Sequence, residues 1–289
     1  MDSRYDNKWV QQIVNLQNED GSWGCFHTLS QPIKTQPMTT EQALRRLRIL
    51  GLTKEDEAIA RAIAYMEYNL KQPFPTVFHE KKHDSKTYGD LMLATWIKLF
   101  DPKNEVALVI ANKWARIISA AFQDGEYSHD SYVSTYESEL TKLNPKAGCL
   151  TDFVVFYQLA LLPGLLKQEV EDVMLDYILA HKHGIVYIYN GPVSVLPEVF
   201  ASKQTNWYLS AMELLAAYES ASGKLGFVTN WLLENRDADG SWDMGAVVKD
   251  GIHFPLSESW RKSEDRRRDC TERIERLLKK LEKSGKNAI

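Results

Sequence analysis

Two segments near opposite ends of the chain have almost the same sequence, and a repeat constrains the fold more than any single element does. Residues 13–23 read IVNLQNEDGSW and residues 232–242 read LLENRDADGSW. Downstream of these, TTEQALRRLRIL begins at Thr39 and CTERIERLLKKL begins at Cys270. A loop longer by about a dozen residues in the second copy accounts for the unequal offsets, because repeat arrays accept insertions in loops.

Three weaker copies lie between the two sharp ones. Each reads as a helix, a glycine or proline turn followed by an aromatic residue, a variable loop and a second helix. Their second helices contain the strings KTYGDLMLATWIKLF, LTDFVVFYQLALL and QTNWYLSAMELLAAY. The sequence therefore predicts one domain over residues 1–289, built from hairpin units at roughly 5–52, 55–101, 104–165, 167–221 and 223–284.

Each second helix has a threonine near its expected start. A threonine hydroxyl at an N-cap accepts a hydrogen bond from an unpaired amide of the first turn. The pattern predicts that these second helices begin at Thr40, Thr87, Thr151, Thr205 and Thr271.

The fold class predicted by this repeat is all-α, and its arrangement is either an open superhelix or a closed ring. The middle second helices are apolar almost all round, as in LMLATWIKLF and FVVFYQLALL, which predicts burial on most sides. An α/α toroid of about five hairpins, with the second helices as the inner ring, explains this most simply. The basic second helices of the first and last units would meet at its seam. A degenerate sixth pair within 129–147 or 188–203 stays open.

The composition excludes several classes of protein. The chain has 35 Lys and Arg against 39 Asp and Glu, so it lacks the basic field that nucleic-acid binding needs. Its start, MDSRYDNKW, has no apolar signal core, and its most apolar stretch is interrupted by polar residues and proline, so we expect neither secretion nor a transmembrane segment. Three widely spaced cysteines suit reduced thiols and a cytoplasmic location.

The two sharp repeats resemble the QW motif of the terpene cyclase and prenyltransferase superfamily, in which a Gln near a helix end precedes a glycine turn and an aromatic residue. Gln17, Gly21 and Trp23 fit this motif, and a looser copy ends at Tyr127. The last copy has Arg236 in place of the Gln. The resemblance implies an α/α toroid whose inner helices surround an apolar cavity, with catalytic groups at the N-termini of those helices.

The sequence departs from that family in its catalytic motifs. The DxDD motif of class II cyclases and the DDxxD clusters of class I synthases do not occur in the chain. The candidate zinc ligands are Cys149, Asp152, Asp269, Cys270, His83 and Asp84. No two of them have a compact zinc spacing such as CxxC or HxxxH, so zinc is not favoured. The cofactor stays open, and a diphosphate substrate would bring Mg²⁺.

The candidate catalytic residues lie at the expected starts of inner helices. A carboxyl group that faces a dry cavity is desolvated and becomes able to donate a proton, whereas helix capping is the simpler role for an acidic residue at such a position. Histidines in the turns are candidates for acid, base or ligand roles. The candidates are His83, Asp84, Asp90 and Asp152.

The candidate substrate-binding residues are aromatic and basic. Rings at the helix starts provide an apolar wall that attracts a carbocation, and guanidinium groups match a diphosphate. Core packing and surface ion pairs explain the same residues without a substrate. These candidates are Tyr88, Phe153, Trp207, Arg45 and Arg48.

Three functions are consistent with these observations. The leading hypothesis is an isoprenoid-handling enzyme, similar to a terpene cyclase or prenyltransferase, that binds a linear prenyl substrate or its diphosphate. The first alternative is a non-catalytic toroid that binds a lipid or a protein. The second is a carbohydrate-active α/α-barrel enzyme, which would need paired carboxylates such as Asp84 with Asp130 or Asp152.

Overall fold

A computed structural model describes residues 5–28, 34–72, 85–146 and 150–286, and within these ranges the chain is all-α, as predicted. It separates into two compact units, residues 1–112 and 113–289. Only isolated bridges, such as Val155 with Val186, have β character in the described ranges. The helices of the first unit are α1 (Lys8–Val14), α2 (Thr40–Ile49), α3 (Glu57–Leu70), α4 (Ser85–Phe100) and the beginning of α5 (Glu105–Ala121).

The second unit continues α5 and holds the other helices. A short 3₁₀ turn at Ala246–Val248 precedes the last of them. These helices are α6 (His129–Glu139), α7 (Phe156–Leu161), α8 (Gln168–Ala180), α9 (Lys203–Leu215), α10 (Ala221–Lys224), α11 (Gly226–Glu234) and α12 (Ser263–Lys286).

The order of helices agrees with the predicted units. The first helices are α1, α3, α5, α8 and α11, and the second helices are α2, α4, α7, α9 and α12. Helix α6 occupies the 129–147 segment, whereas residues 188–202 hold no helix. The single domain and its closure into a ring stay predictions.

The predicted helix start is confirmed at Thr40, where α2 begins, and is wrong at the other four threonines, of which Thr205 lies inside α9. Thr39 caps α2 and Ser202 caps α9, each accepting a hydrogen bond from a backbone amide three residues later. Thr87 and Thr271 lie inside α4 and α12, which begin earlier, and Thr151 precedes α7 by several residues. Thr40 and Thr271 use their hydroxyls to accept from loop amides instead, so the pattern marks a contact between loop and helix.

The predicted burial of the second helices is confirmed for α4 and α7. Every residue from Leu91 to Ile97 is buried, and so are all the residues of α7. Helix α9 is buried on one side only, since the side chain of Tyr208 is inside while Trp207 is half exposed. Within the described ranges, we find no helix that combines the length and the apolar character needed to cross a membrane.

Candidate functional site

The two sharp repeats fold into the same local structure. The indole nitrogen of Trp23 donates to the carbonyl oxygen of Ile13 at 2.7 Å, and that of Trp242 donates to Leu232 at 2.6 Å. The backbone amide of Trp23 donates to Thr40 Oγ1 at 2.9 Å. Each tryptophan therefore joins the glycine turn to the helix before it and, through its amide, to the helix after it.

The glycine turn is also the same in both copies. Gly21 and Gly240 have φ angles of +92° and +85°, in the left-handed region that favours glycine. Gln17 Nε2 donates to the carbonyl oxygen of Gly21 at 2.9 Å, and Arg236 Nε donates to that of Gly240 at 2.7 Å. The arginine thus replaces the glutamine in the same contact, and the motif acts as a scaffold.

A cluster of aromatic side chains lies in the second unit, and we call Phe122, Tyr127, Phe153 and Tyr177 the aromatic cluster. The ring centroids of Tyr127 and Tyr177 are 4.7 Å apart. Phe153 is fully buried, with its ring 5.6 Å from each of these two tyrosine rings. Both tyrosines are partly exposed, so the cluster has a buried base and an accessible aromatic edge.

Local structure explains how these rings come together. Phe122 follows α5, and Gly125, with φ +82°, turns the chain so that Tyr127 folds back beside it. Tyr177 is on α8. The spacing of Tyr177 and His181 is i,i+4, and their ring centroids are 5.8 Å apart.

Polar groups border the aromatic cluster. Asp152 Oδ2 lies 3.6 Å from His181 Nε2, and Asp152 Oδ1 accepts a hydrogen bond from the amide of Val154. Among the side chains that the structure describes, the buried Nδ1 of His181 has no hydrogen-bond partner. Burial, and then the Asp152 carboxylate, raise the pKa values of Tyr127 and Tyr177, so both phenols stay protonated at neutral pH.

The environment of Asp152 differs from the dry cavity that the sequence suggested. Its side chain is 41% exposed. Phe153, the next residue, precedes α7 rather than lying at its start, and its side chain is fully buried in the aromatic cluster. Asp152 therefore lies at the solvent-facing edge of the cluster and meets an imidazole there.

Glu41 is a buried carboxylate that the sequence analysis did not single out. It is 1% exposed, and its Oε2 accepts from the amide and hydroxyl of Thr28 at 2.9 and 2.6 Å. Trp96 Nε1 donates to Oε1 at 3.2 Å. Burial opposes ionisation, but the Arg45 cation and the Thr28 hydrogen bonds outweigh it and lower the pKa of Glu41. Its i,i+4 spacing with Arg45 is typical of a surface ion pair, but the burial of Glu41 makes this pair internal.

Arg45 is part of this buried arrangement. Its Nη2 lies 3.6 Å from Glu41 Oε1, and its guanidinium lies over the Trp96 ring, 5.6 Å from the centroid. Arg48 is exposed on the same helix. Arg45 therefore compensates an internal charge, and using it to bind a diphosphate would compete with Glu41.

The other predicted site residues are dispersed. Tyr88 Oη lies 3.1 Å from His27 Nε2, and Asp90 pairs with Lys86 one turn earlier on α4, which provides the partner that an acid at this position requires. Trp207 is half exposed on α9. His83 and Asp84 lie outside the described residues.

The arginines at the start of α12 are each bonded to acidic side chains. Arg266 forms two hydrogen bonds with Asp243, at 2.7 and 2.6 Å, and Arg267 bonds to Asp237 and Asp239. These pairs explain the basic segment without a diphosphate. In the described part of the chain, no three His, Cys, Asp or Glu side chains are placed to hold a metal ion together.

Comparison of the chain with protein-family models, curated proteins and solved structures found no match.

Proposed function

We propose that the protein binds a hydrophobic ligand, specifically a linear isoprenoid, at the aromatic cluster of its second unit. The observation that carries this proposal is the accessible pair of Tyr127 and Tyr177 over a buried Phe153, with Asp152 and His181 at the edge. Aromatic rings provide apolar contact area together with a negative face that attracts a cation.

The polar edge supports an enzyme-like role for the site. A carbocation formed on a prenyl chain would be stabilised by the ring faces of Tyr127 and Tyr177. The Asp152 carboxylate is solvated and lies close to His181, which suits it to accept a proton from such a cation. It is less suited to protonating an alkene, because that needs a desolvated acid.

The ligand does not need a diphosphate in this proposal. Arg45 bonds Glu41, and Arg266 and Arg267 bond aspartates, so these guanidinium groups already have anionic partners. We therefore expect the prenyl chain to provide most of the binding free energy. A prenyl alcohol should bind about as well as its diphosphate.

A calorimetric titration with farnesol, geranylgeraniol and their diphosphates, with and without Mg²⁺, tests the proposal. Tyr177→Ala should weaken binding about 5- to 150-fold, because it removes an aromatic contact worth about 1–3 kcal/mol. Tyr177→Phe should retain binding, and Tyr68→Ala, at an exposed tyrosine of the first unit, is the matched control. Failure of every prenyl length to bind would rule the proposal out.

Packing within the cluster gives a specific reason to keep a non-catalytic role as a second candidate. The rings of Phe122 and Phe153 meet edge to face at 5.5 Å, so the base of the cluster is already filled. Product analysis of the same incubations separates the two roles. Binding with no change in the prenyl compound would identify a carrier rather than an enzyme.

A further inference from the structure

A second polar site lies in the same unit, where Asp250, His253 and Ser210 form a continuous hydrogen-bonded series. Asp250 Oδ2 is 2.8 Å from His253 Nδ1, and His253 Nε2 is 3.0 Å from Ser210 Oγ. A carboxylate, an imidazole and a hydroxyl in this order are the groups that activate a serine nucleophile.

The carboxylate of Asp250 is held firmly in place. Its Oδ1 accepts from the backbone amides of Ile252, His253 and Phe254, and its Oδ2 also accepts from Asn206 Nδ2 at 2.8 Å. Burial opposes ionisation, but these hydrogen bonds and His253 lower the pKa of Asp250 well below its usual range. Asp250 is therefore ionised at neutral pH and presents an acceptor to His253.

This carboxylate determines which nitrogen of His253 carries the proton. Nδ1–H donates to Asp250, so in the neutral ring the lone pair is on Nε2 and faces Ser210. Burial and the Arg273 cation lower the pKa of His253, against the opposing effects of Asp250 and Glu213. The imidazole is consequently neutral at pH 7 and able to accept a proton.

A buried cation lies beside the serine oxygen. Arg273 Nη2 donates to Ser210 Oγ at 3.0 Å, while its Nε bonds Glu213 at 2.7 Å. The Ser210 hydroxyl has one proton, which it donates either to the carbonyl oxygen of Asn206, 3.0 Å away, or to His253. A guanidinium at this distance stabilises negative charge that develops on the oxygen.

The serine is accessible next to apolar surface. Ser210 is partly exposed, and Trp207, three residues earlier on the same face of α9, is 50% exposed. Val247, also exposed, belongs to the 3₁₀ turn that packs against α9. These side chains provide exposed apolar surface beside α9 for an acyl chain.

We infer that Ser210 is a nucleophile that hydrolyses esters or thioesters of apolar acyl groups, which goes beyond the binding function proposed above. Ser210 Oγ forms a bond to the acyl carbon while its proton passes to His253 Nε2. The bond from that carbon to the leaving oxygen or sulfur breaks, and the leaving atom takes the proton from His253. Water then attacks the acyl-serine, releasing a carboxylic acid and restoring the hydroxyl.

Covalent labelling with an alkyl fluorophosphonate tests this inference, with mass spectrometry to locate the adduct and p-nitrophenyl butyrate to measure turnover. We expect the adduct on Ser210 of the wild-type chain. Ser210→Ala should abolish labelling and His253→Gln should slow it at least about 100-fold. Ser119→Ala, at a partly exposed serine of α5, is the matched control and should label normally.

The pH profile distinguishes a reactive serine from a structural hydrogen bond. Three charged groups face His253: Asp250, Glu213 and Arg273. Burial and the Arg273 cation outweigh the two carboxylates and lower the pKa of His253, so the labelling rate should reach half its maximum below pH 6.5. The wild-type adduct is informative even where a variant fails to fold. No adduct, an adduct on another residue, or a rate unchanged in a folded His253→Gln would each overturn the inference.

Discussion

Thr271 Oγ1 accepts a hydrogen bond from the backbone amide of Trp242 at 3.0 Å, from a position inside a helix rather than at its cap. Thr40 makes the same contact with Trp23 in the first unit. In each of the two sharp repeats, one threonine hydroxyl fixes the glycine turn against the following helix. The repeat in the sequence is thus a repeat of contacts.

Thr271→Val should destabilise the protein by about 1–3 kcal/mol, because it leaves the Trp242 amide without its acceptor. Thr271→Ser keeps the hydroxyl and should cost less than about 1 kcal/mol. Urea unfolding monitored by circular dichroism measures both. Equal stability of the Val and Ser variants would show that the hydroxyl contact has no energetic importance.

Gly21→Ala and Gly125→Ala should differ in their effects, although both glycines have positive φ angles. A Cβ at Gly21 would lie 2.4 Å from the backbone oxygen of Arg61, whereas one at Gly125 would meet nothing within 4 Å. The free energy of unfolding of the Gly125 variant should fall only by the conformational cost of alanine at positive φ, about 1–2 kcal/mol. That of the Gly21 variant should fall by more than about 3 kcal/mol. Thermal unfolding of both variants checks this order, and a reversed order would disprove the close approach.

Glu41 should contribute stability that depends on pH. Its pKa in the folded state lies below the usual value of 4.5, so its stabilising contribution is present above pH 4.5 and is lost as the pH falls through the folded value. Glu41→Gln should be less stable at pH 7, with the difference from wild type shrinking below pH 4.5. Urea unfolding between pH 3 and 7 measures it, and a constant difference would refute the assignment.

Cys270 should be nearly unreactive in the folded protein. Burial raises the pKa of its thiol to about 11, so at pH 8 only about one molecule in a thousand carries the thiolate. Cys25 is partly exposed and should react first with a disulfide reagent. Because Cys149 lies outside the described residues, the comparison uses Cys149→Ser with Cys25→Ser or Cys270→Ser. Equal rates for the two remaining thiols would be inconsistent with the burial of Cys270.

Helix order and the glycine turns followed from the sequence, because apolar periodicity and glycine positions depend on short-range chemistry. The last copy of the motif departs from the pattern in sequence, because it has Arg236 in place of Gln. Its structure does not depart, since the Arg236 side chain still bonds Gly240. Of the predicted helix starts, only Thr40 is correct. A threonine before an acidic residue has the same pattern whether its hydroxyl caps a helix or accepts from a distant loop.

The functional residues were harder to predict because they depend on long-range contacts. Trp207 and Tyr208 are adjacent aromatic residues, but successive residues of a helix point in different directions. Trp207 is therefore half exposed, whereas Tyr208 is buried. Phe153 precedes α7 instead of lying at a helix start, and its partners Tyr127 and Tyr177 come from distant segments. The approach of His253 to Ser210 spans 43 residues and has no local signature.

Photo-crosslinking with a diazirine-bearing farnesol analogue tests the ligand-binding proposal most directly. We predict that the crosslinked peptides contain Tyr127, Phe153 or Tyr177, and that unlabelled farnesol suppresses the crosslinks by competition. Crosslinks confined to residues 1–112, or no crosslink that farnesol suppresses, would contradict a prenyl site at the aromatic cluster.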